Sequence, residues 1–309
     1  SLVKPVVYLA ALQMGSYTLA SQVSDEPVEI ELQNGDTWAP QNFDETSHGN
    51  VPLLRALGDS YNRATVRLGM EIGVDAVSEL LHNLGLDRRP DPNPSLLLGA
   101  IEMSPFEVAQ VYNSLANGGF RMPLRAVRSV VDAKGEPLMR YPLELLPAAD
   151  TDAVQQVNHA MVQVLERGTG RSAKAVLPAD LVAAGKTGTS DDFRDSWFAG
   201  FTNDHLAVVW VGNDDNEPVG LTGSAGALNI WAPIVAGIDD TRSFDPVPSP
   251  ALEIVWLDYE TGLGTYEGCG QSARVAFPAG NQPPRLAGCG PGLRELGIRA
   301  RRWLEGNKR

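Results

Sequence analysis

The sequence predicts an α+β fold, and three observations carry that prediction. Apolar residues recur at helical spacing over 6–14, 53–68, 74–84 and 151–167. Val28, Ile30 and Leu32 alternate with Glu29 and Glu31 ahead of Asn34-Gly35, a hairpin dipeptide whose return runs through Thr37 and Trp38. Over 181–190, 195–200 and 206–212, three strand-like runs follow one another with short breaks.

The elements follow in order. The first helix carries Pro5 in its first turn, where a missing N–H costs nothing. The run 53–68 contains Ser60-Tyr61-Asn62, and 74–84 is amphipathic. Ser104-Pro105-Phe106-Glu107 is a capping box with proline at the first helical position; its helix continues through Val108, Val111, Tyr112 and Leu115 to Gly118-Gly119. A hairpin around Lys134-Gly135 joins 125–131 to 137–141. The helix over 151–167 puts Val154, Val157, Met161, Val164 and Leu165 on one side and stops at Gly168. After the strands, 226–237 is a final packing helix that Pro233 would kink. The Pro-rich stretch 245–250 is a linker by composition. The predicted division is therefore a domain over 1–240 and a loop-rich tail over 241–309. That tail ends in a basic helix, with Leu293, Leu296, Ala300, Trp303 and Leu304 at helical spacing among arginines. Such a helix reads first as solvated or protein-packed, with an anionic membrane face as the alternative.

The 309 residues are 43% hydrophobic and 20% charged, with a formal net charge of -13. That is globular composition, and its acidity argues against a nucleic-acid surface. No run of about 18 apolar residues is present, so nothing is predicted to span a membrane. The chain opens on Ser1-Leu2-Val3-Lys4 inside a pattern rather than before one. It is expected to be the C-terminal part of a longer protein whose anchor lies in the missing portion. Cys269 and Cys289 lack a Cys-x-x-Cys spacing and a nearby His, which argues against zinc. A disulfide outside the cytoplasm and two buried thiols are both compatible with them.

Three short motifs carry chemistry. Ser1 and Lys4 share one face at a helix start. A serine hydroxyl is a weak nucleophile until a neighbouring base takes its proton, and a neutral lysine amine one turn away can do so. The positive end of a helix disfavours an ammonium and favours a developing oxyanion. Ser60 and Asn62 can share a face at a helix end, where they could pass a proton and hold a carbonyl. Gly185-Lys186-Thr187-Gly188-Thr189 supplies a point charge and hydroxyls on a strand that glycine leaves open to close approach. Each motif alone is also what a cap, a polar helix end or a solvated lysine looks like. The ordered trio at positions 1, 60 and 186 is specific.

With Trp38-x-Pro-Gln-Asn42, Leu115-Ala-Asn-Gly-Gly119, Arg167-Gly-Thr-Gly-Arg171 and Trp197-Phe-Ala-Gly200, the trio resembles the transpeptidase domain of class A, bifunctional penicillin-binding proteins. The resemblance implies the fold those proteins share with serine β-lactamases: an antiparallel sheet flanked by helices plus an all-helical subdomain. Set against that pattern, the chain is expected to lack the strands that precede the nucleophile helix, the glycosyltransferase domain and the membrane anchor. By the resemblance, Ser1 is the acylated nucleophile and Lys4 its base. Ser60 relays the proton to the leaving amine, and Asn62 holds the acyl side chain. Lys186 sets the electrostatics, while Thr187, Gly188 and Thr189 bind the substrate carboxylate; the Thr189 N–H is also an oxyanion donor. The implied reaction is cross-linking of D-Ala-D-Ala peptidoglycan stem peptides through an acyl-enzyme, with β-lactams as acylating inhibitors. No metal or organic cofactor is implied. The implied setting is the periplasm, on the inner membrane, among cell-wall synthesis partner proteins; there a Cys269–Cys289 disulfide is expected.

Three rivals bear on the same motifs. A β-lactamase needs a deacylating base, but Glu79-x-x-x-Asn83, the one segment of suitable shape, reads as helix surface. An N-terminal-nucleophile hydrolase would explain Ser1 and leave the other motifs accidental. A penicillin-sensing domain would acylate and stop.

Overall fold

The computed structural model describes residues 1–32, 34–246 and 249–286. Helix α1 (Lys4–Gln13) is buried from Lys4 through Leu12, because nearly every residue is apolar and every side of the helix has a neighbour. Strand β1 (Gln22–Ser24) pairs with β4 (Asn50–Pro52), and β2 (Ile30–Glu31) pairs with β3 (Thr37–Trp38) across the expected turn. The run 53–68 is not one helix. It forms α2 (Leu53–Gly58) and α3 (Asn62–Ile72), with Ser60 between them at φ +63°. A left-handed serine costs about 1–2 kcal/mol and cannot lie inside a right-handed helix, so the chain must break there.

Helices α4 (Val74–Asn83) and α5 (Pro105–Ala116) follow, the latter with both arms of its capping box formed. Strands β5 (Phe120–Arg121) and β8 (Leu146–Pro147) pair and enclose the exposed hairpin of β6 (Ser129–Val131) and β7 (Pro137–Arg140). Helix α6 is Thr151–Glu166. Helix α1 packs against α2, α3, α4 and α6.

The main sheet is antiparallel in the order β11 (Leu206–Val211), β10 (Ser196–Phe201), β9 (Ala184–Thr189). Side chains alternate along a strand, so β10 serves two cores. Ala199 and Phe201 join the large core built around α1 and α6, while the Phe198 ring packs tilted against Trp231 of α7 (Ala227–Ala236), with centroids 4.8 Å apart. Pro233 lies inside α7, as expected.

The first part of the stretch read as a loop-rich tail forms a hairpin of two seven-residue strands. Strand β12 (Leu252–Asp258) pairs with β13 (Ser272–Pro278). Val255, Leu257, Ala273, Val275 and Phe277 are buried in the same core as α1, and β13 packs on α6. Alternation of these apolar residues was present in the sequence, but the prolines and glycines on either side hid it. The predicted basic helix and Cys289 lie outside the described residues. Among the described residues no helix is long and apolar enough to cross a membrane.

Candidate active site

The site forms where the start of α1, the break between α2 and α3, and the edge strand β9 meet. Each contribution has a local cause. Lys4 is the first residue of α1 and is fully buried, as is Lys186 on β9. Lys186 pairs with Ala199 and lies on the face of β9 toward the helical core; Thr187 and Thr189 lie on the other face. Gly188 lets the start of the chain and Trp197 approach closely, since a Cβ there would make tight contacts of 3.1 Å with Leu2 Cγ and 3.0 Å with Trp197 Cβ. The start of the chain is pinned as well. The Ser1 nitrogen donates to the Leu98 carbonyl at 2.9 Å, and Tyr112 donates its hydroxyl to the Leu2 carbonyl at 3.0 Å.

Two buried lysines converge on one serine. Lys4 Nζ lies 3.0 Å from Ser60 Oγ, and Lys186 Nζ lies 2.8 Å from the same oxygen. Lys4 also donates to the Ser60 carbonyl and to Asn62 Oδ1, each at 2.5 Å. A protonated Lys4 would use three donors on these acceptors. A neutral amine has two donors, which the two carbonyl oxygens take, leaving its lone pair toward the Ser60 hydroxyl. Burial pushes Lys4 well below the ordinary lysine range; the Lys186 charge adds to this and Asp25 opposes it. Burial also brings Lys186 down to about 7, against the pull of Asp59. Two ammonium groups bonded to one hydroxyl repel, so the favoured state is one neutral lysine and one charged. Lys4 has the geometry to be the neutral one, since its two remaining donors are taken by the Ser60 carbonyl and Asn62 Oδ1.

The Ser60–Asn62 turn is held from a distance. Tyr61 sits at the N-cap of helix α3 and provides no side-chain cap. Its first N–H groups bond elsewhere: Asn62 and Arg63 N–H donate to Asn42 Oδ1 at 2.7 and 3.3 Å, and Ala64 N–H donates to Asp25 Oδ1 at 3.1 Å. Asn42 in turn donates to Asp25 Oδ2 at 2.6 Å, and the His48 ring lies 2.8 Å from that oxygen. Asn62 Nδ2 donates to the Gln41 carbonyl at 2.6 Å. A fully buried carboxylate is stable here because N–H donors surround it and it meets the positive end of α3.

The structure thus brings Lys4, Ser60, Asn62 and Lys186 into one hydrogen-bonded group, with Ser1 one turn before Lys4. Among the described residues the Ser1 hydroxyl takes no hydrogen bond. The threonine hydroxyls have protein partners: Thr187 Oγ1 is 2.7 Å from Thr169 Oγ1, and Thr189 Oγ1 accepts from Gly223 N–H at 2.9 Å. Glu79 is exposed on α4, as the sequence suggested. Cys269 is disulfide-bonded, and the Cys289 end of the expected pair lies outside the described residues. Among the described residues no three His, Cys, Asp or Glu side chains gather as a metal-binding group.

Asp25, Asn42, Asp59 and Thr169 were not singled out as site residues by sequence reasoning. Asn42 and Thr169 stood within motifs quoted for resemblance. The usable signal for Asp25 was indirect: a helix whose N-cap residue is Tyr61 has no local cap, so its N–H groups must be satisfied by a distant side chain.

Comparisons with known proteins agree with this architecture. The family model described as the penicillin binding protein transpeptidase domain matches residues 1–236. Penicillin-binding protein 1B of Vibrio cholerae is 43% identical over 234 residues, which cover 75% of this chain and 30% of that protein. The chain thus spans about a third of such a relative's length. The crystal structure of penicillin-binding protein 1A from Haemophilus influenzae superposes with a TM-score of 0.81, covering 93% of this chain and 48% of that one at 24% identity. The structure of the PonA1 protein from Mycobacterium tuberculosis in complex with penicillin V has a TM-score of 0.68 at 25% identity, covering 81% of this chain and 71% of that one.

Proposed function

The chain belongs to the penicillin-binding protein transpeptidase family, and from that premise we propose that it is a peptidoglycan D,D-transpeptidase that works through a Ser1 acyl-enzyme. The observation that carries the reading is the Ser60 hydroxyl shared by two buried lysines. That arrangement supplies a neutral base and a fixed positive charge a few ångströms apart, which acyl transfer needs and a structural core does not.

The steps follow from the geometry. Lys4 takes the Ser1 proton as Ser1 Oγ bonds to the carbonyl carbon of the penultimate D-Ala, and the carbonyl π electrons move onto oxygen. The oxyanion collapses and the carbon–nitrogen bond breaks. The departing nitrogen receives the Ser60 proton, and Ser60 is reprotonated from Lys4. An amine of a second stem peptide then attacks the ester, its proton passes to Lys4, and Ser1 recovers a proton as it leaves. Lys186 keeps its charge throughout, orients the Ser60 hydroxyl and attracts the substrate carboxylate, which Thr187 and Thr189 receive at the strand edge. Asn62 holds the acyl side chain. With a β-lactam the broken carbon–nitrogen bond lies in a ring, so the amine stays tethered and blocks the acceptor's approach. The setting we propose is the periplasm, with the full-length protein held at the inner membrane; the disulfide at Cys269 fits an oxidising compartment.

The test offers the protein a D-Ala-D-Ala stem peptide with an amine acceptor, and separately penicillin. The expected result is peptide transfer to the amine together with a long-lived penicillin adduct. Rapid hydrolysis of penicillin would indicate a β-lactamase, and an adduct without any peptide turnover would indicate a sensor.

A further inference from the structure

The C-terminal hairpin lies beyond the residues matched by the family model, yet it reaches the active site. Just after β12, Tyr259 is 2% exposed and donates its hydroxyl to Asp59 Oδ1 at 3.0 Å, across 200 positions of sequence. The other Asp59 oxygen accepts from Tyr61 at 3.0 Å and from Arg55 Nε at 3.2 Å. Arg55 also pairs with Glu260, the residue after Tyr259, at 2.6 Å. The chain makes room for this contact, since a Cβ on Gly58 would stand 2.2 Å from the Tyr259 hydroxyl. Asp59 immediately precedes the left-handed Ser60, a conformation that persists only where neighbours hold it.

We propose that Tyr259 is a positioning residue for acyl transfer: from the C-terminal hairpin it fixes the Asp59 carboxylate, and through Asp59 it fixes the turn that presents Ser60 to Lys4 and Lys186. This rests on the transpeptidase reading above and adds a residue and a region to it. Asp59 acts in two ways. Its backbone sets the direction of Ser60, and its charge opposes the burial that strips the proton from Lys186. The charged and titratable groups facing this arrangement are the Ser1 α-amine and Lys4 at the start of α1, Arg55 and Tyr61 around the turn, and Glu260 behind Tyr259; Asp25 faces Lys4, and Asp191 faces the Ser1 amine.

Tyr259→Phe removes one oxygen and keeps the ring in the core. Penicillin acylation at Ser1 is measured across pH in wild type, Tyr259→Phe, Asp59→Asn and the double variant, with thermal melts alongside. Tyr259→Phe is expected to slow acylation about fivefold, a small part of the roughly 10²- to 10⁴-fold that positioned proton transfer contributes. Its alkaline limb should move to lower pH, because a less firmly held anion supports the Lys186 proton less well; the acid limb, set by Lys4, should stay. Asp59→Asn should show the larger shift in the same direction, and the double variant should match Asp59→Asn alone. A wild-type rate and pH profile in Tyr259→Phe, or effects of the two substitutions that simply multiply, would overturn the proposal, since a packing role moves the melt and not the limb. Absence of any Ser1 adduct in the wild type would instead defeat the transpeptidase reading, and this inference with it.

Discussion

The turn at 59–62 and the hairpin of β6 and β7 are both short excursions between longer elements, but they are held in opposite ways. The turn is fixed by side chains from far along the chain: Asp25, Asn42, Lys186 and Tyr259 all bond to it or to its helix. The hairpin is fixed by its own backbone ladder and by Asp132, whose side chain accepts from the N–H groups of Lys134 and Glu136. Its Leu138 and Met139 stand in solvent, at 68% and 52% exposure. Buried polar groups are costly unless every partner is in place, so the turn can keep its lysines only because distant residues converge on it. The hairpin carries no such requirement. Substitutions in the two regions should therefore differ in kind as well as size.

The largest expected effect sits at Lys186. Lys186→Met should slow penicillin acylation by about 10³-fold, the scale of losing one preorganised electrostatic group. It should also stabilise the fold, by about 1–3 kcal/mol near neutral pH, since an apolar side chain of similar volume replaces a buried cation. The pH dependence fixes the sign. Lys186 has a folded value lowered from 10.5 to about 7, so the unfolded chain binds its proton first as pH falls between those values. Wild-type stability is full above 10.5 and declines toward 7. The gain in Lys186→Met should therefore be greatest near pH 7 and vanish above about 10.5, as read by denaturant unfolding. A variant less stable at every pH would assign Lys186 to structure.

Asp25→Asn should come next. It leaves N–H groups of His48 and Ala64 facing an amide where a carboxylate stood. We expect a loss of about 2–4 kcal/mol, with slower acylation because α3 and Asn62 lose their anchor. Unchanged stability would mean that the turn holds itself. At the small end, Leu138→Ser should change stability by less than about 0.5 kcal/mol and leave acylation alone. A clear loss of stability there would show that the hairpin is coupled to the core after all.

The same contrast explains what was legible in the sequence. Helices α1, α4, α5, α6 and α7 announce themselves by periodicity, caps and glycine stops, which are local signals. Ser1, Lys4, Ser60, Asn62 and Lys186 stand in motifs that are legible because each lies at a characteristic place near a helix start, at a turn or on a strand. The break between α2 and α3 was only half visible, since the apolar spacing of 53–68 continues through it and the left-handed Ser60 depends on distant partners. Asp25 and Tyr259 were not found, because their meaning lies in contacts to residues 39 and 200 positions away. The hairpin of β12 and β13 was missed because flanking glycines and prolines outweighed a short alternation.

The most direct test of the account is the residue that penicillin modifies and the speed at which it does so. Intact mass and peptide mapping should show one covalent unit per chain on Ser1, absent in Ser1→Ala and forming orders of magnitude more slowly in Lys186→Met. An adduct on another residue, or equal rates in wild type and Lys186→Met, would contradict the claim that the shared Ser60 hydroxyl and its two lysines are the engine of the site.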